Sequence, residues 1–319
     1  MNNPDTKNNE QHCGFVAVIG APNAGKSTLV NAMVGAKVSI VTHKVQTTRA
    51  RVRGVMMAEA TQLVFIDTPG IFAPKRRLDR SMVSAAWEGT NGADVTLLLI
   101  DAAAYLGADT VKSPKQAKRA RIDTDTIIEK LKETETKVVL AINKIDLLPR
   151  QKLLALIAEL DAHNVFSDMF MIAAHNGDGL KGLKEFLISK MPEQPWHYPE
   201  DQLSDITDRL MAAEITREKL FLRLHEELPY DATVETENWS RTKKKELRVD
   251  QIVYVARETQ KGIVVGKSGQ TLKAIGAAAR EELMELFGEP VHLFIHVKVR
   301  ENWAEEAARY REMGLERVE

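Results

Sequence analysis

The sequence predicts two folded parts: an α/β domain with a doubly wound, mostly parallel sheet, and after it a smaller α+β domain. In the first half, short apolar strands alternate with helical stretches. A glycine-rich loop joins the first strand directly to a helix, as in folds that bind ligands at the carboxyl ends of their strands. The second half has the order helix, strand, strand, glycine turn, helix, strand. We expect a disordered tail over residues 1–12, the α/β domain over 13–190, a linker over 191–203, and the α+β domain with a C-terminal helix over 204–319.

Length and composition agree with two globular domains. The chain has 319 residues, which is enough for about two domains. Hydrophobic residues make up 44% and charged residues 28%, and no apolar run approaches the roughly 20 residues that span a bilayer. The single cysteine, Cys13, cannot form an internal disulfide, which agrees with a reducing cytoplasm. The sequence has no heptad seam, so we expect a monomer, and the net charge of −1 does not decide for or against nucleic acid.

The first motif is a phosphate-binding loop. Residues 20–27 fit the pattern G-x-x-x-x-G-K-[ST] between an apolar strand and a helix. Gly20 and Gly25 let the backbone curl so that its N–H groups and the helix N-terminus point at a phosphate group. Lys26 is expected to reach the β- and γ-phosphates, and Ser27 to bind Mg²⁺. The other predicted nucleotide-binding residues of this loop are Asn23, Ala24 and Thr28. A glycine-rich turn without a ligand is the alternative.

The polar segment after the first helix carries two adjacent threonines. In phosphate-loop nucleotide hydrolases, a segment at this place supplies a threonine that binds Mg²⁺ and meets the γ-phosphate. Thr47 and Thr48 are both candidates for this catalytic and metal-binding role, and the sequence does not choose between them. A plain surface loop is the alternative.

Two predicted strands, 51–57 and 61–67, have the spacing of a hairpin, and the second ends in Asp67-Thr68-Pro69-Gly70. A carboxylate at the end of a buried strand needs a partner, and hydrated Mg²⁺ is a suitable one for Asp67. Gly70 allows its N–H group to approach the γ-phosphate closely. We therefore expect Asp67 to contact the metal ion and Gly70 to contact the reacting phosphate.

Two further apolar strands are predicted over residues 94–101 and 137–143. The basic stretch 112–121 between them is expected to be a solvated loop that leads into a helix at about 126–132.

The second of these strands runs into Asn143-Lys144-Ile145-Asp146. A carboxylate at the last position accepts hydrogen bonds from guanine N1–H and N2, which adenine cannot supply, so Asp146 is expected to select guanine. Asn143 would tie this loop to the phosphate loop, and the stem of Lys144 would cover one face of the base. A last strand at 169–174 would bring the N–H of Ala174 to guanine O6.

Together, G-A-P-N-A-G-K-S, Q-T-T-R, D-T-P-G and N-K-I-D resemble the translation-factor-related branch of GTPases over residues 14–190. This resemblance implies binding of GTP and GDP with Mg²⁺. Ile71 departs from the Ras pattern, in which a glutamine at this place orients the attacking water. Asn23 matches an asparagine that coordinates K⁺ in some relatives, and a turn residue held by its own backbone is the alternative. Ala173 stands where a serine is frequent in the guanine-binding loop.

Residues 191–199 contain three prolines and predict an extended linker. After it we expect a helix over about 205–227, strands over 232–239 and 247–257, the turn Gly266-Lys267-Ser268-Gly269 directly after Ile263-Val264-Val265, a helix over 270–287 and a strand over 291–299.

This order resembles a K-homology domain of the bacterial type, type II. The resemblance implies RNA binding at the glycine turn, because glycines let a nucleic-acid backbone approach main-chain N–H groups. Basic residues add phosphate contacts. The predicted RNA-binding residues are Gly266, Lys267, Ser268, Gly269, Lys273 and, in the basic turn between the two strands, Lys243, Lys244 and Lys245.

A phosphate-loop GTPase domain followed by one K-homology domain is similar to the Era-type ribosome-assembly GTPases. The similarity extends to E-I-T-R-E-K-L at 214–220 and to P-V-H-L-F-I-H-V-K-V at 290–299. It implies GTP hydrolysis, binding near the 3′ end of 16S ribosomal RNA, a role in maturation of the small (30S) ribosomal subunit, and a cytoplasmic location with peripheral association with the inner membrane. One alternative is a signalling GTPase whose second domain binds protein. Another is a nucleotide-binding scaffold with negligible turnover, which Ile71 favours.

Overall fold

The computed structural model describes residues 11–42, 44, 47–107, 113–224 and 228–318. By its internal contacts the chain divides into two compact units. The first unit comprises Met1–Ser39, Thr48–Lys75 and Met82–Asp205, and the second comprises Ile40–Thr47, Arg76–Ser81 and Ile206–Glu319. The predicted tail covers residues 1–12, of which residues 1–10 lie outside the described residues. His12 already begins the first strand.

The first part of the chain alternates strands and helices. In order, these are β1 (His12–Ile19), α1 (Lys26–Val34), β2 (Val52–Ala58), β3 (Thr61–Asp67), α2 (Arg77–Glu88), β4 (Val95–Asp101), α3 (Ala102–Tyr105), α4 (Pro114–Glu133), β5 (Val138–Asn143), α5 (Arg150–Asp161), β6 (Phe166–Met171) and α6 (Leu180–Ser189).

The six strands form one sheet in the order β2-β3-β1-β4-β5-β6. All neighbouring pairs are parallel except β2 with β3, which are antiparallel. The strand order reverses at β1, so its carboxyl end lies between the ends of β3 and β4. In a doubly wound sheet this is the place where ligands bind.

Alternating residues of the central strands enter two separate apolar clusters. Leu97 and Leu99 of β4 belong to one cluster, whereas Leu98 and Ile100 belong to the other. Successive side chains of a strand point to opposite faces, so the sheet has a core on each face. This confirms the predicted doubly wound α/β fold.

Two predicted elements of this part differ from the structure. The basic stretch predicted as a loop is helical from Pro114 onward. Ser113 accepts from the Gln116 N–H at the helix N-terminus, and a proline fits the first helical turn. Residues 108–112 lie outside the described part. The last strand is β6 at Phe166–Met171, slightly earlier than predicted, and residues 172–174 form the loop after it.

The second unit contains α7 (Asp208–Arg223), β7 (Ala232–Arg241), β8 (Leu247–Val255), α8 (Glu258–Val265), α9 (Gln270–Phe287), β9 (Val291–Val299) and α10 (Ala307–Glu312). Its sheet has the order β7-β8-β9, with β7 and β8 antiparallel and β8 and β9 parallel. Side chains of α7 and α9 share an apolar cluster with this sheet, which includes Leu220, Ile275 and Val253. This confirms the smaller α+β domain.

The segment before the glycine turn was predicted incompletely. Ile263, Val264 and Val265 are the last residues of helix α8, which the sequence analysis did not predict. Their β-branched side chains favour strands, and Gly262 disfavours a helix, but the side chain of Gln260 accepts from the N–H groups of Ala256 and Arg257 and holds the helix start.

No helix within the described residues has both the length and the apolar character needed to cross a bilayer.

Candidate functional site

The loop between β1 and α1 curls tightly against neighbouring strands. Gly20 has φ 151° and Gly25 has φ 101°. A Cβ added at Gly20 would lie 2.3 Å from the carbonyl oxygen of Leu99, and one added at Gly25 would lie 2.3 Å from Nδ2 of Asn143. Both glycines are therefore required by close backbone approach as well as by conformation.

The side chain of Lys26 reaches back to the start of this loop. Its ammonium group donates to the carbonyl oxygens of Gly20 and Ala21, at 3.1 Å each, and the residue is 6% exposed. Burial lowers the pKa of Lys26 to about 8, and the negative charge of Asp67 acts against this shift. The loop thus holds a buried cation where the motif predicts phosphate groups.

Side-chain oxygens of Ser27, Thr48 and Asp67 converge beside the N-terminus of α1. Ser27 Oγ donates to Asp67 Oδ2 at 2.7 Å, and Thr48 Oγ1 lies 2.9 Å from Ser27 Oγ. Asp67 is fully buried, and its Oδ1 accepts no hydrogen bond from the described residues. Burial raises the pKa of Asp67, whereas the hydrogen bond from Ser27 lowers it. Mg²⁺ prefers hydroxyl and carboxylate oxygens as ligands. The two hydroxyl groups and the buried carboxylate, one oxygen of which accepts no hydrogen bond from any residue that the structure describes, therefore fit Mg²⁺.

The two candidate threonines lie in different environments. Thr47 Oγ1 contacts Thr42 Oγ1 at 2.6 Å and donates to the carbonyl oxygen of Lys44 at 2.7 Å. Thr48, and not Thr47, is the threonine that contacts Ser27, and its Oγ1 lies 3.5 Å from Asp67 Oδ2.

The segment after Asp67 runs next to the phosphate loop. Thr68 Oγ1 donates to the carbonyl oxygen of Val18 at 2.7 Å, and the Ile71 N–H donates to the carbonyl oxygen of Gly20 at 3.1 Å. A Cβ added at Gly70 would lie 2.9 Å from Cα of Pro22. Ile71 is 4% exposed and packs in the apolar core, so its side chain cannot orient a water molecule.

Asn143, at the end of β5, connects three loops. Its Nδ2 donates to the carbonyl oxygen of Ala24 at 2.8 Å, and its Oδ1 accepts from the N–H of Ala174 at 3.0 Å. The first contact is the predicted tie to the phosphate loop. The second uses the N–H group that the sequence analysis assigned to guanine O6. The N–H of Ala173 donates to the carbonyl oxygen of Asp178, which closes the turn after Ala174.

The remaining predicted residues surround this position. Lys144 has φ 63°, and its Nζ donates to the carbonyl oxygen of Asn23 at 3.0 Å and to Asp101 Oδ2 at 2.5 Å. Asp146 is exposed in the single helical turn that follows. Asn23 has φ 64°, and Thr28 lies in the first turn of α1.

Sequence reasoning missed Asp101. This aspartate ends β4, as Asp67 ends β3 and Asn143 ends β5. A polar residue at the end of a buried parallel strand was the signal that could have indicated it.

Sequence reasoning also missed two charged residues of α7 that hold the segment 40–47 within the second unit. Glu218 Oε1 accepts from the Val41 N–H at 2.8 Å, and Arg217 Nη2 donates to the carbonyl oxygen of Thr47. Arg217 is 1% exposed and Glu218 is 4% exposed. Burial of adjacent charges on one helix is unusual unless each has partners, and the sequence alone did not show which partners these were.

The glycine turn of the second unit connects α8 to α9. Gly266 ends α8 with φ 74°, and Gly269 precedes α9 with φ 76°. Lys267 and Ser268 between them are exposed, and Lys273 is exposed on α9. The first N–H groups of an 18-residue helix therefore face the turn.

The three lysines Lys243, Lys244 and Lys245 lie elsewhere. They form the turn between β7 and β8. The end of β7 that leads into this turn packs near the C-terminal end of α9, because the rings of Trp239 and Phe287 have centroids 5.5 Å apart. An 18-residue helix is about 27 Å long, so these lysines are near the opposite end of α9 from the glycine turn. The structure does not bring the two predicted parts of the RNA site together.

Comparison with known proteins finds two family models that match different parts of the chain. A family model described as "50S ribosome-binding GTPase" matches residues 15–144, and one described as "KH domain" matches residues 227–304. The chain is 53% identical to GTPase Era of Maricaulis maris, over 96% of this chain and 98% of that protein. It is 56% identical to GTPase Era of Caulobacter vibrioides, over 95% of this chain and 96% of that protein.

Solved structures agree over both units. A crystal structure of Era in complex with MgGDPNP and nucleotides 1506–1542 of 16S ribosomal RNA has a TM-score of 0.86 and 36% identity, covering 95% of this chain and 99% of that one. A single-residue variant of Aquifex aeolicus Era bound to GDP·AlF₄⁻ has a TM-score of 0.84 and the same identity and coverage.

The fold and the site thus define a phosphate-loop GTPase with a C-terminal K-homology domain. Identity above 50% over nearly the full length of this chain and of its relatives shows the family. The chain belongs to the Era family of GTPases and hydrolyses GTP to GDP and phosphate.

Proposed function

We propose that this GTPase is a nucleotide-controlled switch that binds the 3′ end region of 16S ribosomal RNA and assists maturation of the small ribosomal subunit. The observation that carries the proposal is the similarity to the Era structure that holds MgGDPNP and nucleotides 1506–1542 of 16S ribosomal RNA, because it covers 95% of this chain. It includes the second unit, which favours RNA over protein as the partner of that unit.

For nucleotide binding, we assign the phosphate groups to the loop between β1 and α1. Lys26 neutralises the β- and γ-phosphates, and the N–H of Gly70 contacts the γ-phosphate. Ser27, Asp67 and Thr48 would hold Mg²⁺, which would neutralise charge on the phosphate oxygens. The contact of Thr48 with Ser27 at 2.9 Å supports its choice over Thr47.

For base recognition, we assign guanine selection to Asp146 and the covering of the base to Lys144. The exposure of Asp146 and the anchoring of the neighbouring Asn143 to Ala24 support this assignment. Because the Ala174 N–H donates to Asn143 in this structure, a contact with guanine O6 requires this N–H to share its hydrogen or to reorient.

The group that activates water is not Ile71, and we propose that Asn23 binds K⁺ near the phosphates. Its position in the phosphate loop supports this role, and its φ of 64° is equally suited to a turn residue. Phosphate release measured in KCl and in NaCl tests the proposal with Asn23→Gly, since glycine keeps this backbone conformation and removes only the side chain. Stimulation by K⁺ that is lost in Asn23→Gly supports the role, and equal rates in both salts contradict it.

For RNA, we assign the backbone contact to Gly266–Gly269 and phosphate contacts to Lys267 and Lys273. The exposure of both lysines at the N-terminal end of α9 supports this. Lys243, Lys244 and Lys245, at the other end of that helix, would contribute only through a second stretch of RNA.

The experiment measures binding of a short single-stranded RNA copied from the 3′ end of small-subunit ribosomal RNA, with GTP analogue or with GDP. Gly269→Asp places a carboxylate in the turn, and Gly288→Asp is a matched control. Gly288 also has positive φ and open space around it, but it lies at the opposite end of α9. Binding that is lost only in Gly269→Asp and that differs between nucleotides supports the proposal, whereas no binding in either state contradicts it.

We further propose that the protein is a cytoplasmic monomer with peripheral contact to the inner membrane. The membrane contact rests on the family resemblance alone. Separation of membrane and soluble fractions, and the molar mass in solution, test these two statements.

A further inference from the structure

Asp101 is tied to the candidate nucleotide site although it belongs to none of the motifs that define it. It ends β4 and lies beside Asn143 in the parallel pairing of β4 with β5. Its carboxylate is held from two sides: Oδ1 accepts from the N–H of Ala104 at 2.9 Å, and Oδ2 accepts from Lys144 Nζ at 2.5 Å. The side chain of Asp101 is 14% exposed, so this ion pair is shielded from water on the aspartate side.

The lysine in this pair spans two loops. The backbone of Lys144 is left-handed, with φ 63°, and its ammonium group also donates to the carbonyl oxygen of Asn23 at 3.0 Å. The stem of Lys144 therefore runs from the loop after β5 to the phosphate loop, and Asp101 fixes its far end. A lysine side chain has many rotamers in solution, and a charge-assisted hydrogen bond restricts them.

We propose that Asp101 is a positioning residue for guanine-nucleotide binding that acts through Lys144. This inference rests on the proposed assignment of Lys144 to the base. The carboxylate holds the ammonium group against Asn23 before the nucleotide arrives, so the stem of Lys144 is already in place to cover the base. Without the carboxylate, nucleotide binding has to order the side chain of Lys144. We therefore expect the nucleotide to dissociate faster.

Asp101 has a second, structural role, which the experiment has to separate from the first. It caps helix α3, since its side chain accepts from the N–H of Ala104. Asparagine is as good an N-cap as aspartate but carries no charge. Asp101→Asn therefore keeps the cap and weakens only the interaction with Lys144.

The experiment follows dissociation of fluorescently labelled GDP and of a labelled GTP analogue from the full chain. The variants are Asp101→Asn, Lys144→Met and the double variant. Asp125→Asn is the control, because it removes a carboxylate of α4 that accepts from Tyr105 at 2.9 Å and leaves the pair of Asp101 and Lys144 intact. Melting temperatures are measured for each variant without nucleotide.

We expect Asp101→Asn to raise both dissociation rates on the order of tenfold, with the melting temperature close to that of the parent. The effect should be similar for GDP and the GTP analogue, because it acts on the base. The double variant should release nucleotide no faster than Lys144→Met, since both changes remove one interaction. Asp125→Asn should release nucleotide at the parent rate.

The outcomes separate this inference from the site assignment on which it rests. If Lys144→Met releases nucleotide at the parent rate, the assignment of Lys144 to the base fails and the role of Asp101 fails with it. If Lys144→Met accelerates release but Asp101→Asn does not, only the role of Asp101 is wrong. If the two effects multiply in the double variant, Asp101 acts independently of Lys144 and the inference is overturned.

Discussion

At the scale of single residues, Asp67 gives a direct test of the metal site. Its carboxylate is fully buried, and Oδ1 accepts no hydrogen bond from the described residues. In Asp67→Asn, the proposed metal ligand and its charge are lost, whereas the hydrogen bond from Ser27 can be kept by the amide oxygen. We expect MgCl₂ with a GTP analogue at about 100 times the parent Kd to stabilise the parent by about 2.7 kcal/mol and to stabilise this variant far less.

The measurement is the shift in melting temperature on adding nucleotide, with MgCl₂ and with EDTA. EDTA should reduce the shift of the parent towards that of Asp67→Asn. The exposed Asp161 at the end of α5 provides the control Asp161→Asn, which should keep the full shift. An equal shift for Asp67→Asn and the parent would rule out Asp67 as a metal ligand.

The pair Thr47 and Thr48 shows where sequence reasoning about the site ends. The motifs single out Lys26, Ser27, Asp67 and Asn143 as candidates, because each has a defined spacing to a strand end. Two adjacent threonines in an irregular loop have no defined spacing to a strand end, so the motif cannot choose between them. The contacts of Thr48 with Ser27 and Asp67, against those of Thr47 with Thr42 and Lys44, distinguish the two threonines.

This difference predicts a contrast between two similar variants. Thr48→Val should weaken binding of a GTP analogue with Mg²⁺ on the order of tenfold, because it removes the hydroxyl that we propose as a metal ligand next to charged groups. Binding of GDP should change less, since the γ-phosphate is absent. Thr47→Val is the matched control and should stay within about twofold of the parent in both titrations. Calorimetric titration checks this, and the reverse order of effects would assign the role to Thr47.

At the scale of elements, the two glycines of the turn between α8 and α9 have different structural reasons. Both have positive φ, but a Cβ at Gly266 would lie 2.1 Å from Thr271 Oγ1, and one at Gly269 would meet nothing within 4 Å. Gly269→Ala should therefore cost only the conformational penalty of about 1–2 kcal/mol. Gly266→Ala should cost roughly 1–3 kcal/mol more, because α8 or α9 has to shift.

Hydrogen exchange of peptides from α9, measured by mass spectrometry on the full chain, compares the opening free energies. Protection should fall clearly more in Gly266→Ala than in Gly269→Ala. Equal losses of protection would mean that the backbone conformation alone explains both glycines.

The elements that the sequence predicted well have strong and consistent local signals. Helix α9 and strand β9 have the predicted limits, because an uninterrupted amphipathic stretch and an alternating stretch lie between glycines and a proline. Helix α8 was missed because its last three residues are β-branched and follow a glycine. Contacts of Gln260 and packing of the buried Val264 stabilise this helix. Tertiary contacts of this kind have no local sequence signal.

At the scale of the whole molecule, the two units do not follow the chain in two simple halves. Residues 191–205, which include the predicted linker, pack in the first unit; for example, Gln62 Nε2 donates to the carbonyl oxygen of Tyr198 at 2.8 Å. The segments 40–47 and 76–81 belong to the second unit. The prolines predicted an extended segment. They could not predict the unit against which this segment packs, because that depends on contacts with residues distant in sequence. The domain limits drawn from the sequence remain a prediction.

The placement of segment 40–47 gives the last prediction, which concerns coupling between nucleotide and RNA. Thr47 accepts from Arg217 in the second unit, while the next residue, Thr48, contacts Ser27 in the first. A nucleotide that draws Thr48 towards Mg²⁺ therefore acts on a peptide segment in which Val41 and Thr47 contact α7. Arg217→Met removes the contact with Thr47, and we expect it to reduce the ratio of RNA dissociation constants in the GDP and GTP-analogue states.

Coupling between sites is typically 1–3 kcal/mol, or about 5- to 150-fold, so a ratio in this range in the parent should fall towards one in Arg217→Met. Arg209→Met is the matched control, because Arg209 also lies on α7 and donates to backbone carbonyl oxygens, but to those of Thr236 and Glu237 in β7. Its ratio should equal that of the parent. If Arg217→Met folds normally and keeps the parent ratio, the nucleotide state reaches the RNA-binding unit by a route other than this segment.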